Sequence, residues 1–407
     1  MKKFDVIVVG GGAAGMMAAG TAAANGKSVL LLEKNERLGE KLKITGGGRC
    51  NITNAEFDTH LLLKNYGTAA SFLYSSFAQF GVEDTFDFFT SRGLPLVVQD
   101  QKRTFPGTER AADVCNVLEK YLRESRVTIK SGVRITEILK EGTGLAVVVS
   151  NAEKIYGGAV ILATGSTSHP ETGSTGDGFT WLRDLGHTVH RPTPTIVPLA
   201  VKESIVKKLA GITCAAVKIS FLVDGKKQFS KKGGLLFTHF GISGPVVLNS
   251  AAHVGDLMHQ GTVTAVVDFF PATVERTLEQ TILALFDQNK NKALKNVFPM
   301  IAPARLLVSL PNDYGDIRVH SVTKEQRKLI IRTLKSFSLT ITSLMGLDRA
   351  VVADGGVDLH EINNKTMEST LRENLYVVGD LLHIRRPSGG YSLQLCWTTG
   401  FVAGKNA

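Results

Sequence analysis

The order of apolar runs and small residues at the start of the chain is specific. Val6-Ile7-Val8-Val9 is apolar without alternation and too short for a helix, which predicts a strand buried on both faces of a parallel sheet. Gly10 to Gly12 interrupt it. An Ala-rich stretch then reads as a helix closed by Asn25-Gly26, and a second apolar run over 28–32 stops at Glu33. Further strands are predicted over 127–130, 134–139, 145–150 and 159–163, separated by Gly-rich turns. Pro192, Pro194 and Pro198 mark a crossing into another domain. Residues 195–270 are β-rich, with Asp224-Gly225 between two apolar runs as a hairpin turn. Residues 273–336 show helical spacing at Leu278, Ile282, Leu285 and Phe286, then at Leu329, Ile330 and Leu334. A short buried strand over 375–378 ends at Gly379-Asp380, and a last helix is predicted from about Leu393. This order implies an α/β protein with a discontinuous domain, 1–190 and 341–407. A β-rich domain (191–271) and a small helical domain (272–340) are inserted between its parts.

The chemistry begins at the first break. Gly10-x-Gly12-x-x-Gly15 lies between a strand and a helix, and an acid ends the next strand, which is the setting a dinucleotide-binding βαβ unit requires. Gly12 leaves room for a pyrophosphate, and Gly15 allows helix and strand to pack closely. The N–H groups around Ala13 and Ala14 face the phosphates at a positive helix terminus. Glu33, beside Lys34, can accept bonds from the hydroxyls of an adenosine ribose, which disfavours a 2′-phosphate and leaves FAD or NAD. Two further pieces favour FAD: Ala163-Thr164-Gly165, a strand end small enough to pass a flat dinucleotide, and Gly379-Asp380, whose carboxylate suits a ribityl hydroxyl. A Rossmann-type domain of the glutathione-reductase kind follows by fold analogy.

Bulk composition adds exclusions. The chain has 407 residues, 43% hydrophobic and 21% charged, with no apolar run of bilayer length. Its first residues enter the nucleotide motif directly, so no signal peptide is read and a cytoplasmic location is expected. Four scattered cysteines give neither a disulfide framework nor metal-ligand spacing, and no metal is expected. Of the net charge of +10, residues 272–337 supply a surplus of five, from eleven Lys/Arg and six Asp/Glu. A solvated helical surface accounts for it better than a nucleic-acid face, because aromatics for base stacking are few. An RNA-binding or RNA-modifying flavoprotein remains the rival reading.

Residues 41–54, Lys41-Leu42-Lys43-Ile44-Thr45-Gly46-Gly47-Gly48-Arg49-Cys50-Asn51-Ile52-Thr53-Asn54, resemble the signature of the HI0933-like (YhiN-type) flavoprotein family. So do Gly173 to Gly178, Leu236 to Pro245, Gly355-Gly356-Val357, Thr366 to Ser369 and Gly389-Gly390-Tyr391. The resemblance implies an FAD domain with an inserted β-barrel-like domain and a small helical domain. It also implies either amine-oxidase or unsaturated-ketone-reductase chemistry. Departures from the family pattern fall at Ala353, Asp380, His383, Pro387-Ser388 and Ser392.

On the residues themselves, Gly48 and its neighbours can lie against the flavin edge. Arg49 suits a phosphate or the flavin pyrimidine better than a surface ion pair. Cys50 packs near the ring, and Asn51 bonds the cofactor or caps a turn. Gly390 opens the last helix, whose N-terminus would stabilise charge on a reduced flavin. Tyr391 shields the ring, orients substrate or fills the core. His239 is a proton donor or a structural histidine between domains. With one G-x-G-x-x-G, NAD(P)H would visit transiently and O2 is the other possible partner. The substrate is a small organic molecule, and oligomeric state is unassigned.

Overall fold

Strand β1 (Phe4–Val9), buried except at Asp5, has a parallel neighbour along each edge, β2 (Val29–Leu32) and the strand Lys154–Leu162. Between β1 and β2 runs α1 (Ala13–Ala24), rich in alanine because it too is enclosed. The C-terminal helix (Tyr391–Asn406) lies across it. A Cβ placed on Gly400 or Gly404 would overlap the carbonyls of Ala14 and Ala18, so small residues on both helices set how closely they approach. Gly15 similarly lies against the Gly10 carbonyl.

The computed structural model describes residues 4–141, 144–311 and 313–407. Among them, the main sheet has seven strands. Its order runs Thr128–Lys130, β2, β1, Lys154–Leu162, Gly144–Val149, Ile135–Glu141. The strand Leu375–Val377 pairs in parallel with the last residues of Lys154–Leu162, so the distant C-terminal segment completes the sheet. Val189–Pro194 pairs with Ala353–Val357 where the chain leaves this unit and returns to it.

Two compact units result, one of residues 4–193 with 351–407 and one of 194–350. The second is a closed barrel of six strands among the described residues, ordered Leu199–Val201, Gly241–Ser243, Lys226–Phe237, Thr213–Val223, Val263–Asp268, Phe337–Leu344. Asp224-Gly225 is its hairpin turn, as the alternating pattern requires. The helices Glu275–Gln288 and Lys324–Lys335, read from sequence as a small domain over 272–340, share one core with the barrel. Ile282, Ile330 and Leu334 pack in the same cluster as Val217, Val267 and Leu339. Each helix has one apolar stripe, and the barrel core is what buries it. Of the basic residues in this stretch, Arg327, Lys335 and Lys295 are tied to Glu279, Asp268 and Asp316, which reduces its free positive charge.

Candidate active site

Four parallel strands end on one cavity. Its wall includes Gly10 to Ala14 after β1, Glu33 after β2, Ala163-Thr164-Gly165 after Lys154–Leu162, and Val378-Gly379-Asp380 after Leu375–Val377. This crevice beyond the carboxyl ends of the strands is where open α/β sheets bind their ligands. The space within its walls is about 920 Å³ including the open mouth.

The glycine loop is built by backbone bonds. Gly10 N donates to the Leu32 carbonyl at 2.8 Å and Ala163 N donates to the Val9 carbonyl at 2.8 Å. Gly10 has φ +105°, and a Cβ there would press on the Ala163 carbonyl. Glu33 is buried. Its Oε2 accepts from Gly11 N at 2.6 Å and its Oε1 from Asn35 N at 2.8 Å, so the carboxylate braces the loop it is expected to serve. Lys34 lies on a smaller adjoining pocket and donates to Thr175 Oγ1 (2.5 Å) and Asp177 Oδ2 (3.0 Å). Burial works against ionisation of Asp177, yet the bonds from Lys34 and Thr175 hold its pKa below the usual carboxylate value. Asn35 Nδ2 donates to the Thr172 carbonyl at 3.0 Å and draws Thr172, Gly173 and Ser174 onto the cavity wall.

The opposite wall carries charge. Lys41 donates to Ser168 Oγ at 2.6 Å and lies 3.5 Å from Asp380 Oδ2, while Arg386 is paired with Asp380 Oδ1. Burial pushes the Asp380 pKa up, but Arg386 and Lys41 outweigh it and keep the group ionised. Cys396 also lines the cavity. Burial foremost, aided by the Asp380 charge, raises its pKa to about 12, so it stays a thiol at neutral pH.

Several expected site residues lie elsewhere. Gly48, Arg49, Cys50 and Asn51 are off the cavity wall; Lys41, Leu42 and Thr45 represent their segment there. The turn Thr45–Gly48, left-handed at Gly46 and Gly47, swings the chain away. Arg49 pairs with Glu109 at 3.1 Å and sits 4.3 Å over the Phe105 ring in a cation–π contact. Cys50 is fully buried, and burial raises its pKa to about 12. Gly390 does not face the cavity: a Cβ there would strike the Thr53 backbone, so this glycine lets the last helix start against that strand. Tyr391 is half-buried, edge-on to Tyr66 with ring centroids 5.9 Å apart, while its successors Ser392 and Leu393 reach the wall. His239, in the barrel unit, is exposed and edge-on to Phe240, with ring centroids 4.9 Å apart.

Sequence reasoning assigned no role to Asn35, Thr172 to Ser174, Ser392, Leu393, Cys396, Val351 and Val352 on the wall, nor to Arg386, which is paired with Asp380. Gly173 to Gly178 carried a visible signal, as a motif without an assigned role, and Ser392 one as a departure from the family pattern.

The residues present fit FAD. A Cβ on Gly12 would meet nothing within 4 Å, which leaves an open cradle at the helix start for a pyrophosphate. Among the described residues, the Thr164 hydroxyl is buried without a partner beside it. Glu33 sits at one end, Asp380 and the first turn of the last helix at the other.

Comparison with known proteins agrees. A sequence model of the HI0933-like protein Rossmann domain matches residues 4–406. A 3-dehydro-bile acid delta(4,6)-reductase of Clostridium scindens is 32% identical over 93% of this chain and 92% of its own length. A ribosomal RNA dihydrouridine synthase of Haemophilus influenzae is 28% identical over 97% and 96%, and one of Escherichia coli 25% over 100% and 98%. The fold matches a 3-ketosteroid delta1-dehydrogenase of Sterolibacterium denitrificans with TM-score 0.54 at 14% identity over 99% of both chains. The chain thus belongs to the HI0933-like Rossmann-domain family.

Proposed function

We propose that this enzyme reduces a carbon–carbon double bond conjugated to a carbonyl in a small organic molecule, with NADH or NADPH as a transient electron donor. The observation behind the cofactor half of this reading is the convergence of four parallel strand ends on one cavity. The substrate half rests on what the relatives' names have in common. One reduces alkenes conjugated to a 3-oxo group; the others make dihydrouridine, in which the uracil double bond next to a carbonyl is saturated. Bound FAD, once reduced by NADH or NADPH, would supply a hydride from flavin N5 to the β-carbon, while a proton goes to the α-carbon. Gly12 to Ala14 would hold the pyrophosphate, Glu33 the adenosine ribose and Asp380 the ribityl chain. The start of the last helix would favour the charge that the ring gains. Tyr391, held against Tyr66, is assigned to packing rather than to proton transfer.

A second reading takes RNA as substrate. It is favoured by the two dihydrouridine synthases and by Lys226, Lys227, Lys231 and Lys232, four exposed lysines on one barrel strand. Stopped-flow mixing of anaerobically reduced protein with cyclohexenone, a 4-en-3-one steroid and ribosomal RNA separates these. Rapid reoxidation by enones with no change in RNA mass is the expected result. Reoxidation by RNA alone, with uridines heavier by two hydrogens, would establish the second reading. Indifference to all three, with turnover of an amine under O2, would establish amine-oxidase chemistry instead.

A further inference from the structure

Arg386 is the most completely enclosed charge beside the site. Its side chain is 1% exposed, whereas its neighbour Arg385 is largely in solvent and bound to Asp354. A guanidinium is taken out of water only where its donors are met. Here Nη1 donates to the Ile384 carbonyl at 2.6 Å, Nε to Ser392 Oγ at 3.0 Å and Nη2 to Asp380 Oδ1. Two of these three acceptors, Asp380 and Ser392, belong to residues of the cavity wall, and Arg386 stands behind both. Lys41 approaches the second oxygen of Asp380. Among the described residues, this cluster therefore places two cations on one carboxylate. The surplus positive charge lies where the last helix begins, at the positive end of its dipole.

We propose that Arg386 is a positioning residue that fixes Asp380 and Ser392 against the flavin and, through its charge, raises the reduction potential of bound FAD; this rests on the FAD reading above. A cluster with surplus positive charge beside the ring attracts its electron-rich form more than the oxidised one. Asp380 acts in the opposite sense, because its charge partly cancels that of Arg386. A bond that merely stapled residues 379–392 would change stability and leave the redox equilibrium alone.

The test is the flavin midpoint potential of FAD-loaded protein, measured anaerobically against reference dyes, for wild type, Arg386→Gln and Asp380→Asn. Arg386→Gln should reduce the equilibrium constant for two-electron reduction about tenfold, a fall of about 30 mV. Asp380→Asn should shift it in the other direction. Loaded Arg386→Gln with the wild-type potential overturns the inference. If that variant binds no flavin, Asp380→Asn decides: a raised potential sustains the role of the surplus charge, and an unchanged or lowered one overturns it. A wild-type chain that takes up no FAD would instead overturn the cofactor reading on which the inference stands.

Discussion

Glu33 has two tasks on one carboxylate. It accepts the Gly11 and Asn35 amides and still has a lone pair on each oxygen for a ribose. Removing it would leave the Gly11 N–H unsatisfied, a cost of about 1–3 kcal/mol, besides losing the nucleotide contact. Glu33→Ala should therefore lower both thermal stability and FAD retention on a desalting column. Glu33→Gln, whose amide oxygen can still accept from Gly11, should keep most of the stability and lose part of the retention. Full flavin occupancy in Glu33→Ala would refute the ribose role. At this scale the sequence was legible where one residue type does one thing: Gly12, Glu33 and Asp380 sit where the motif logic put them. It misled where a charged residue had a choice of partners. Arg49 found Glu109 and Phe105, from a strand and loop that no local pattern joins to it, while the inward charge came from Arg386, which no motif singles out.

Among elements, the pairing of α1 with the C-terminal helix holds the cofactor side of the fold together. Gly404 lies directly on the Ala18 carbonyl, so an added methyl must push the helices apart. Gly404→Ala should destabilise by about 1–3 kcal/mol, the usual cost of overpacking, and should lower the melting temperature with its flavin-bound form still yellow. An unchanged melting temperature would show that the two helices are free to separate. The strands of the main sheet were readable because burial on both faces forces continuous apolar runs, as in β1 and Leu375–Val377. The long barrel strands were only partly readable. Thr213–Val223 and Lys226–Phe237 extend past their apolar centres into Lys-rich and Gly-containing ends, which the register of the hairpin carries into the sheet. Val351 and Val352 reach the cavity wall from a turn that has no periodic signal of its own.

Over the whole molecule, the described chain forms two units, and every cavity-lining residue named here belongs to the one that contains β1. That unit also contains a buried Ser369–His187–Glu361 relay. His187 Nε2 meets Ser369 Oγ at 2.9 Å and its Nδ1 meets Glu361 Oε2 at 2.9 Å. The order resembles a hydrolase triad, but Ser369 Oγ already accepts from Leu371 N and Arg372 N, and none of the three lines the cavity. It is a staple. Burial, opposed by the Glu361 contact, lowers the His187 pKa from its usual 6.5. The unfolded chain therefore takes up a proton near that pH which the folded chain refuses, so stability is full above pH 6.5 and falls as the pH drops below it. Melting temperatures should fall between pH 7 and pH 5.5, and less steeply in His187→Gln, with a remaining slope from His383, whose pKa is likewise lowered by burial. Equal slopes in the two proteins would remove His187 as the cause.

The most direct measurement is the absorption spectrum of the purified chain, with identification of what it releases on heating, for wild type and Gly12→Val. A yellow wild-type protein that gives up one FAD per chain, beside a colourless Gly12→Val, is the expected result. A colourless wild type that stays so after incubation with FAD, or a Gly12→Val that binds flavin as well as wild type, would contradict a cofactor seated on the glycine loop.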